Sequence, residues 1–172
     1  VRAVPILYNY PPCANTLLPE NPPYDWDWQR KHLFLGVNTL KGRIPKKHWA
    51  EMRERGLLWL GNVIVTKLKD AEDLVGRFRK SPGLTEPQYG GVTCDELFFG
   101  TPAMIHYTDG LRQFDNPLDR LICTYVNGKP SQPGEHHAFM STCLNASRGR
   151  GMLFYEAYCR AQPTEAEAKA QG

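Results

Sequence analysis

The strongest periodic stretch in the chain runs from Asp70 to Arg79. Ala71, Leu74, Val75 and Phe78 fall at i, i+3, i+4 and i+7, the stripe of an amphipathic helix. Acidic Asp70, Glu72 and Asp73 open it and basic Arg77, Arg79 and Lys80 close it, the order a helix dipole favours. A second helical pattern spans Pro45 to Leu60. Trp49, Met52, Gly56 and Leu60 recur at spacings of three and four with Leu57 beside them, and Gly61 ends the run. Residues 62–68 contain Val63-Ile64-Val65, the β-branched run that predicts a short strand.

Further along, residues 81–92 carry turn formers and predict a loop. Thr93-Cys94-Asp95-Glu96 has the form of a capping box and predicts a short helix that stops at Gly100-Thr101-Pro102. Asn116-Pro117 introduces another, with Leu118, Leu121, Ile122, Tyr125 and Val126 on one face and Asn127-Gly128 at its end. Past the turn from Pro130 to Gly134, helices are expected from Glu135 to Ala146 and from Gly151 to about Ala161. Before Pro45 the pattern is different. Pro5, Pro11, Pro12, Pro19, Pro22 and Pro23 break any helix, while Tyr8, Tyr10, Tyr24, Trp26 and Trp28 sit between and after them. Trp26 and Trp28 alternate with Asp25 and Asp27, so an extended segment would present both indoles on one side.

The pattern therefore predicts a mainly α chain: a small, irregular helical domain over 45–161 with few short strands. An extended Pro- and aromatic-rich N-terminal arm occupies 1–44 and a flexible tail 162–172. Composition agrees with a modest core. Gly (15) and Pro (14) are abundant among 172 residues, and charged residues make up 23%. No stretch approaches the ~20 apolar residues of a membrane span. The net charge of +3 disfavours dedicated nucleic-acid binding. Lys41, Arg43, Lys46, Lys47, Arg53 and Arg55 against Glu51 and Glu54 concentrate positive charge locally, a patch that could meet RNA, lipid or protein.

The candidate chemistry centres on the five cysteines, 13, 94, 123, 143 and 159. Cys94, in the first turn of a capped helix, would have a lowered thiol pKa. With His136 or His137 and then Asn145 it has the Cys…His…Asn order of some cysteine hydrolases and transferases. Asp95 and Glu96 beside it would oppose a thiolate. Cys123 and Cys143 lie on segments flanking the Pro133 turn, and two antiparallel helices hinged there would allow a disulfide. His136, His137, Cys143 and Cys159 form a weak metal-ligand set, because adjacent histidines on a helix diverge by about 100°. His106 stands alone. Gly149-Arg150-Gly151 after Arg148 could greet a phosphate but lacks P-loop spacing, and Asn145-Ala146-Ser147 matches a glycosylation sequon.

No catalytic, cofactor or metal site is assigned from these features. Tyr8, Tyr10, Tyr24, Trp26 and Trp28 are the expected partner-binding residues, since a Pro-stiffened aromatic segment loses little entropy on docking. The expected function is a non-catalytic accessory or scaffold subunit of a larger assembly, most concretely a peripheral subunit of a mitochondrial respiratory complex. The first residue is Val1 and the isoelectric point is about 8.6, which suits an imported, processed chain or a fragment. Its partners would be other protein subunits, with possible peripheral contact to a membrane complex. The alternatives are the Cys94-dependent hydrolase or transferase, and a mitochondrial ribosomal or RNA-binding protein using the basic patch.

Overall fold

A computed structural model describes residues 7–9, 25–42, 44–127 and 133–156. Among the described residues six strands form one sheet, all parallel and in sequential order: β1 (Leu7–Asn9), β2 (Thr39–Lys41), β3 (Leu58–Ile64), β4 (Gly91–Phe98), β5 (Leu121–Asn127) and β6 (Met152–Glu156). Parallel neighbours need crossover connections. These are supplied by α1 (Trp26–His32), α2 (Trp49–Glu54), α3 (Ala71–Lys80) with α4 (Pro82–Thr85), α5 (Pro102–Gln113) and α6 (Pro133–Asn145). Strands β2 to β6 curl into a half-barrel and short β1 extends it. The protein is thus α/β, not mainly α. Among the described residues no helix is long and apolar enough to cross a membrane.

The burial pattern explains the correction. A parallel strand covered on both faces loses the in–out alternation that marks half-buried strands. Leu121, Ile122, Cys123 and Thr124 are all buried, as are Gly91, Val92, Thr93 and Cys94. Such runs satisfy helical spacing as well as strand spacing. Accordingly β5 occupies the ground where Leu121 to Val126 suggested a helix, and Thr93–Glu96 lies within β4 instead of capping a helix. The helix expected over Pro45–Leu60 divides into α2 and the first residues of β3. Met152–Glu156, expected to be helical, is β6. The N-terminal segment also folds back where it is described. Asp25 caps α1 by accepting from the Trp28 N–H (2.9 Å), and Trp26 is buried against Phe34 and His48. Residues 25–42 are therefore part of the body and not an extended arm.

The two faces of the sheet differ. On the convex face, Val63, Val92, Cys94, Ile122 and Val126 pack against Leu74 and Phe78 of α3, Met104, Tyr107 and Leu111 of α5, and Phe139 and Cys143 of α6. Within this layer the Tyr107 hydroxyl and Thr124 Oγ1 share a buried hydrogen bond of 2.7 Å. The concave face carries a smaller cluster of strand residues alone: Leu60, Leu121 and Cys123, joined by Leu7, Met152 and Phe154. β4 and β5 approach so closely at their start that a Cβ on Gly91 would collide with the Leu121 carbonyl. The helices thus line one side and leave the concave side to the strand side chains.

Candidate functional site

In a parallel sheet every strand ends on the same edge, and ligands gather there because the βα loops and helix N-termini converge on it. The register layers the concave face from the amino ends of β3, β4 and β5 up towards this edge. Lys41, Leu60, Gly91 and Leu121 are aligned in one row. Asn62, Thr93, Cys123 and Met152 form the next, and Ile64 pairs with Asp95 and Tyr125 with Phe154 above them. The face therefore sets Lys41, Asn62, Thr93 and Asp95 among apolar and aromatic side chains.

The rim is organised around an ion pair. Lys41 Nζ lies 2.6 Å from Asp95 Oδ2, and its side chain retains only 7% exposure against 31% for Asp95. The ammonium also sits 4.6 Å from the centre of the Tyr125 ring, which stacks on Phe154 at 4.8 Å. A lysine on the inner face of a strand must be paired to leave water, and here a carboxylate and an aromatic face share that task. Beside it, the Thr93 hydroxyl is within bonding distance of both the Gly61 carbonyl (3.1 Å) and Asn62 Oδ1 (3.2 Å). That contact engages the Asn62 oxygen and leaves its NH2 as the group it can offer the groove.

β4 carries an irregularity at this same point. Its register with β5 slips between Cys94 and Leu97: three steps along β4 oppose two from Thr124 to Val126. Glu96 is the inserted residue, with φ of 58° in the left-handed region where a side chain is strained. The bulge lets Asp95 face Lys41 while Leu97 returns to the convex core, and Glu96 between them is exposed. Arg77 braces the rim from outside. Its guanidinium donates to the carbonyls of Ile64 (2.7 Å) and Lys67 (3.1 Å) while paired with Asp73. That pairing and the Lys69 N–H hold the Asp73 carboxyl below its usual pKa.

The residues singled out from sequence are placed elsewhere. Cys94 is fully buried on the convex face, hydrogen-bonded to Tyr107, and burial drives its thiol pKa far up, the opposite of an activated nucleophile. His136 stacks on Phe99 at 4.6 Å, and both His137 and Asn145 are exposed on α6. Cys123 and Cys143 are free thiols in clusters on opposite faces of the sheet, each pushed up to about 12 by burial. Two helices hinged at Pro133 would have aligned them, but Cys123 stands on a strand. No group of three His, Cys, Asp or Glu side chains converges among the described residues, and Cys159 lies outside them.

Tyr10, Tyr24 and the Tyr8 side chain also lie outside the described residues, while Trp26 is buried and Trp28 half-buried against His32. Arg150 pairs with Asp119, and Arg148 lies 3.6 Å from the same carboxylate, so both arginines at the Gly149–Gly151 turn share one counter-ion. The basic patch loses Lys41 to the concave face. Lys41, Asn62, Asp95, Glu96 and Tyr125 were not singled out as a site from sequence. The available signal was a polar residue closing each short apolar run, as in Leu40-Lys41 and Cys94-Asp95-Glu96. Comparison with protein-family models, with curated proteins and with solved structures found no match.

Proposed function

We propose that the carboxyl edge of the sheet binds a small polar molecule and performs proton-transfer chemistry on it. Glu96 is the group that gives or takes the proton. Lys41 and Asp95 are the fixed charges that orient the substrate, and Tyr125 with Phe154 forms the wall it lies against. The observation that carries this reading is the Lys41–Asp95 pair, its lysine buried and its carboxylate part-exposed, beside a strand bulge on the concave rim. Stability does not call for such a pair. Replacing buried ions by apolar residues of similar volume is often neutral or stabilising. Bulges concentrate where a side chain must be re-aimed, active sites included. Fold alone assigns no chemistry; the assignment rests on these residues.

The test is a thermal-shift screen of hydroxy acids, amino acids, polyols and small amines against the wild-type chain, Lys41→Met and Glu96→Gln. A compound that stabilises wild type and Glu96→Gln but not Lys41→Met, and that only wild type converts, is the expected result. Compounds that bind all three chains equally would overturn the assignment. The accessory-subunit reading keeps its sequence motivation in the Pro-rich segment, but Trp26 is engaged within its own chain. The cysteine-enzyme reading would need Cys94 to leave a fully buried position.

A further inference from the structure

A second feature lies on the other side of the sheet, near the amino ends of β3 and β4. A cavity of about 380 Å³ opens between α2 and the Pro87–Gln88 segment, within the ~300–1,000 Å³ range of small-molecule sites. Trp49, Met52, Leu57 and Trp59 form its apolar wall, and Arg53 and Gln88 are its polar members.

The chemistry of the wall is specific. Trp59 Nε1 donates to the Gly42 carbonyl (2.7 Å) and Trp49 Nε1 to the Ile44 carbonyl (3.1 Å). Both indole N–H groups are therefore spent, and the rings offer only faces and C–H edges. Trp59 is itself stacked on Tyr89 at 3.9 Å and tilted to Trp49 at 5.2 Å, so the rings hold one another in place. A planar ring is the shape such a wall accepts, because offset and edge contacts between aromatics add to plain burial.

The polar members differ in character. The Arg53 guanidinium has no ion pair or side-chain hydrogen bond among the described residues. Glu51, one turn from Arg55 on the same helix, is committed to Trp26 Nε1 (2.7 Å) and Arg55 (3.4 Å). Lys46 adds a second positive charge 5.7 Å from the Trp49 ring centre. Across the cavity, the Gln88 NH2 is held by Glu86, which leaves the Gln88 carbonyl as an acceptor. The cavity thus has a cation at one side, an acceptor at the other and indole faces between them.

We infer that this cavity is a binding site for a planar aromatic carboxylate, its ring against Trp49 and Trp59, its anion on Arg53 and a ring N–H or O–H on Gln88. It is separate from the rim that holds Lys41 and Asp95 and does not depend on the chemistry proposed there. The rim acts on the concave side; this site takes its ligand on the convex side, where Trp59 pairs with Leu40.

Calorimetric titration of the full chain with three probes of one ring system tests it: indole-3-acetate, indole and tryptamine. Indole-3-acetate should bind one to one, with indole about tenfold weaker for want of the charge-assisted contact, and tryptamine weaker than indole. Arg53 is exposed, so Arg53→Gln folds, and it should bring indole-3-acetate down to the affinity of indole while leaving indole unchanged. Leu57→Trp, which fills the cavity, should abolish binding of all three. The inference is overturned if none of the probes binds up to its solubility limit. It is overturned equally if indole-3-acetate and tryptamine bind alike, or if Arg53→Gln changes neither probe.

Discussion

Removing one partner of the Lys41–Asp95 pair should be costly, and the two partners should not cost the same. At 2.6 Å and an effective dielectric of ~20, the gross attraction is about 6 kcal/mol. Desolvation opposes it by several kcal/mol per fully buried ion. Lys41 loses nearly all its hydration, whereas Asp95 keeps 31% of its side-chain surface in contact with solvent. Lys41→Met leaves a carboxylate that water can still reach, so the cost should fall below that of a fully buried orphan, at about 2–3 kcal/mol. Asp95→Asn leaves an ammonium sealed on the inner face with only the Tyr125 ring and an amide for company, and should cost about 3–4 kcal/mol. The double variant should cost about 2 kcal/mol less than the sum of the singles. Urea unfolding at neutral pH reads all three. With a slope of ~2 kcal/mol per M, the Lys41→Met midpoint should drop by about 1–1.5 M. A coupling below ~0.5 kcal/mol, or Lys41→Met proving the costlier single, would refute the reasoning.

Cys94, Cys123 and Cys143 should resist iodoacetamide in the native protein and label fully in denaturant, because all three are buried with raised thiol pKa values; fast native labelling of Cys94, read by mass spectrometry, would contradict the placement of β4. His48 has its pKa lowered by burial first and by Lys47 next, with Glu51 and Asp27 pulling the other way. The unfolded chain then binds the proton more readily, so this group's contribution to stability should shrink as pH falls from about 6.5 through the folded value. NMR titration should give a midpoint below 6.5 that rises in Lys47→Glu, and a midpoint above it would be wrong for this site. Gly91→Ala should prevent folding because its Cβ has no room beside the Leu121 carbonyl. Gly76→Ala, in mid-helix with nothing within 4 Å, should raise stability by roughly 0.5–1 kcal/mol; thermal unfolding compares the two.

The parts of this fold that could be read in the sequence are those where one face meets water. α3 was legible nearly to the residue, since Asp70 caps it and Arg77, Arg79 and Lys80 close it on an exposed side. α6 was legible for a similar reason. Of the strands only the end of β3 was legible, where the strand expected over 62–68 overlaps Leu58–Ile64; the others were not, because the sheet is covered on its convex face and closes on itself at the concave floor. In β5, Leu121 and Cys123 face one cluster while Ile122 and Val126 face the other, so the run has no polar side to betray its period. Thr93 to Glu96 misled through chemistry. The Thr and Glu of an apparent capping box are here an inward hydroxyl on β4 and the inserted residue of a bulge. The candidate site was hidden by the same fact. Lys41 looked like one charge in a solvated patch, and only parallel pairing brings it across 54 positions of chain to Asp95.

The sequential strand order has a consequence for how the chain acquires its shape. Each strand pairs with the one made just before it, so no segment must wait for a distant partner. Loop-closure entropy is then paid in small instalments of one crossover each. During synthesis from the amino end, β2 can receive β3, and β3 can receive β4, as each leaves the ribosome. The growing sheet always presents one fresh edge, and the next βα unit supplies its own cover. On this logic Lys41 is laid down early and remains unpaired until β4 arrives. The ion pair then closes on Asp95 when the core strands are already in register.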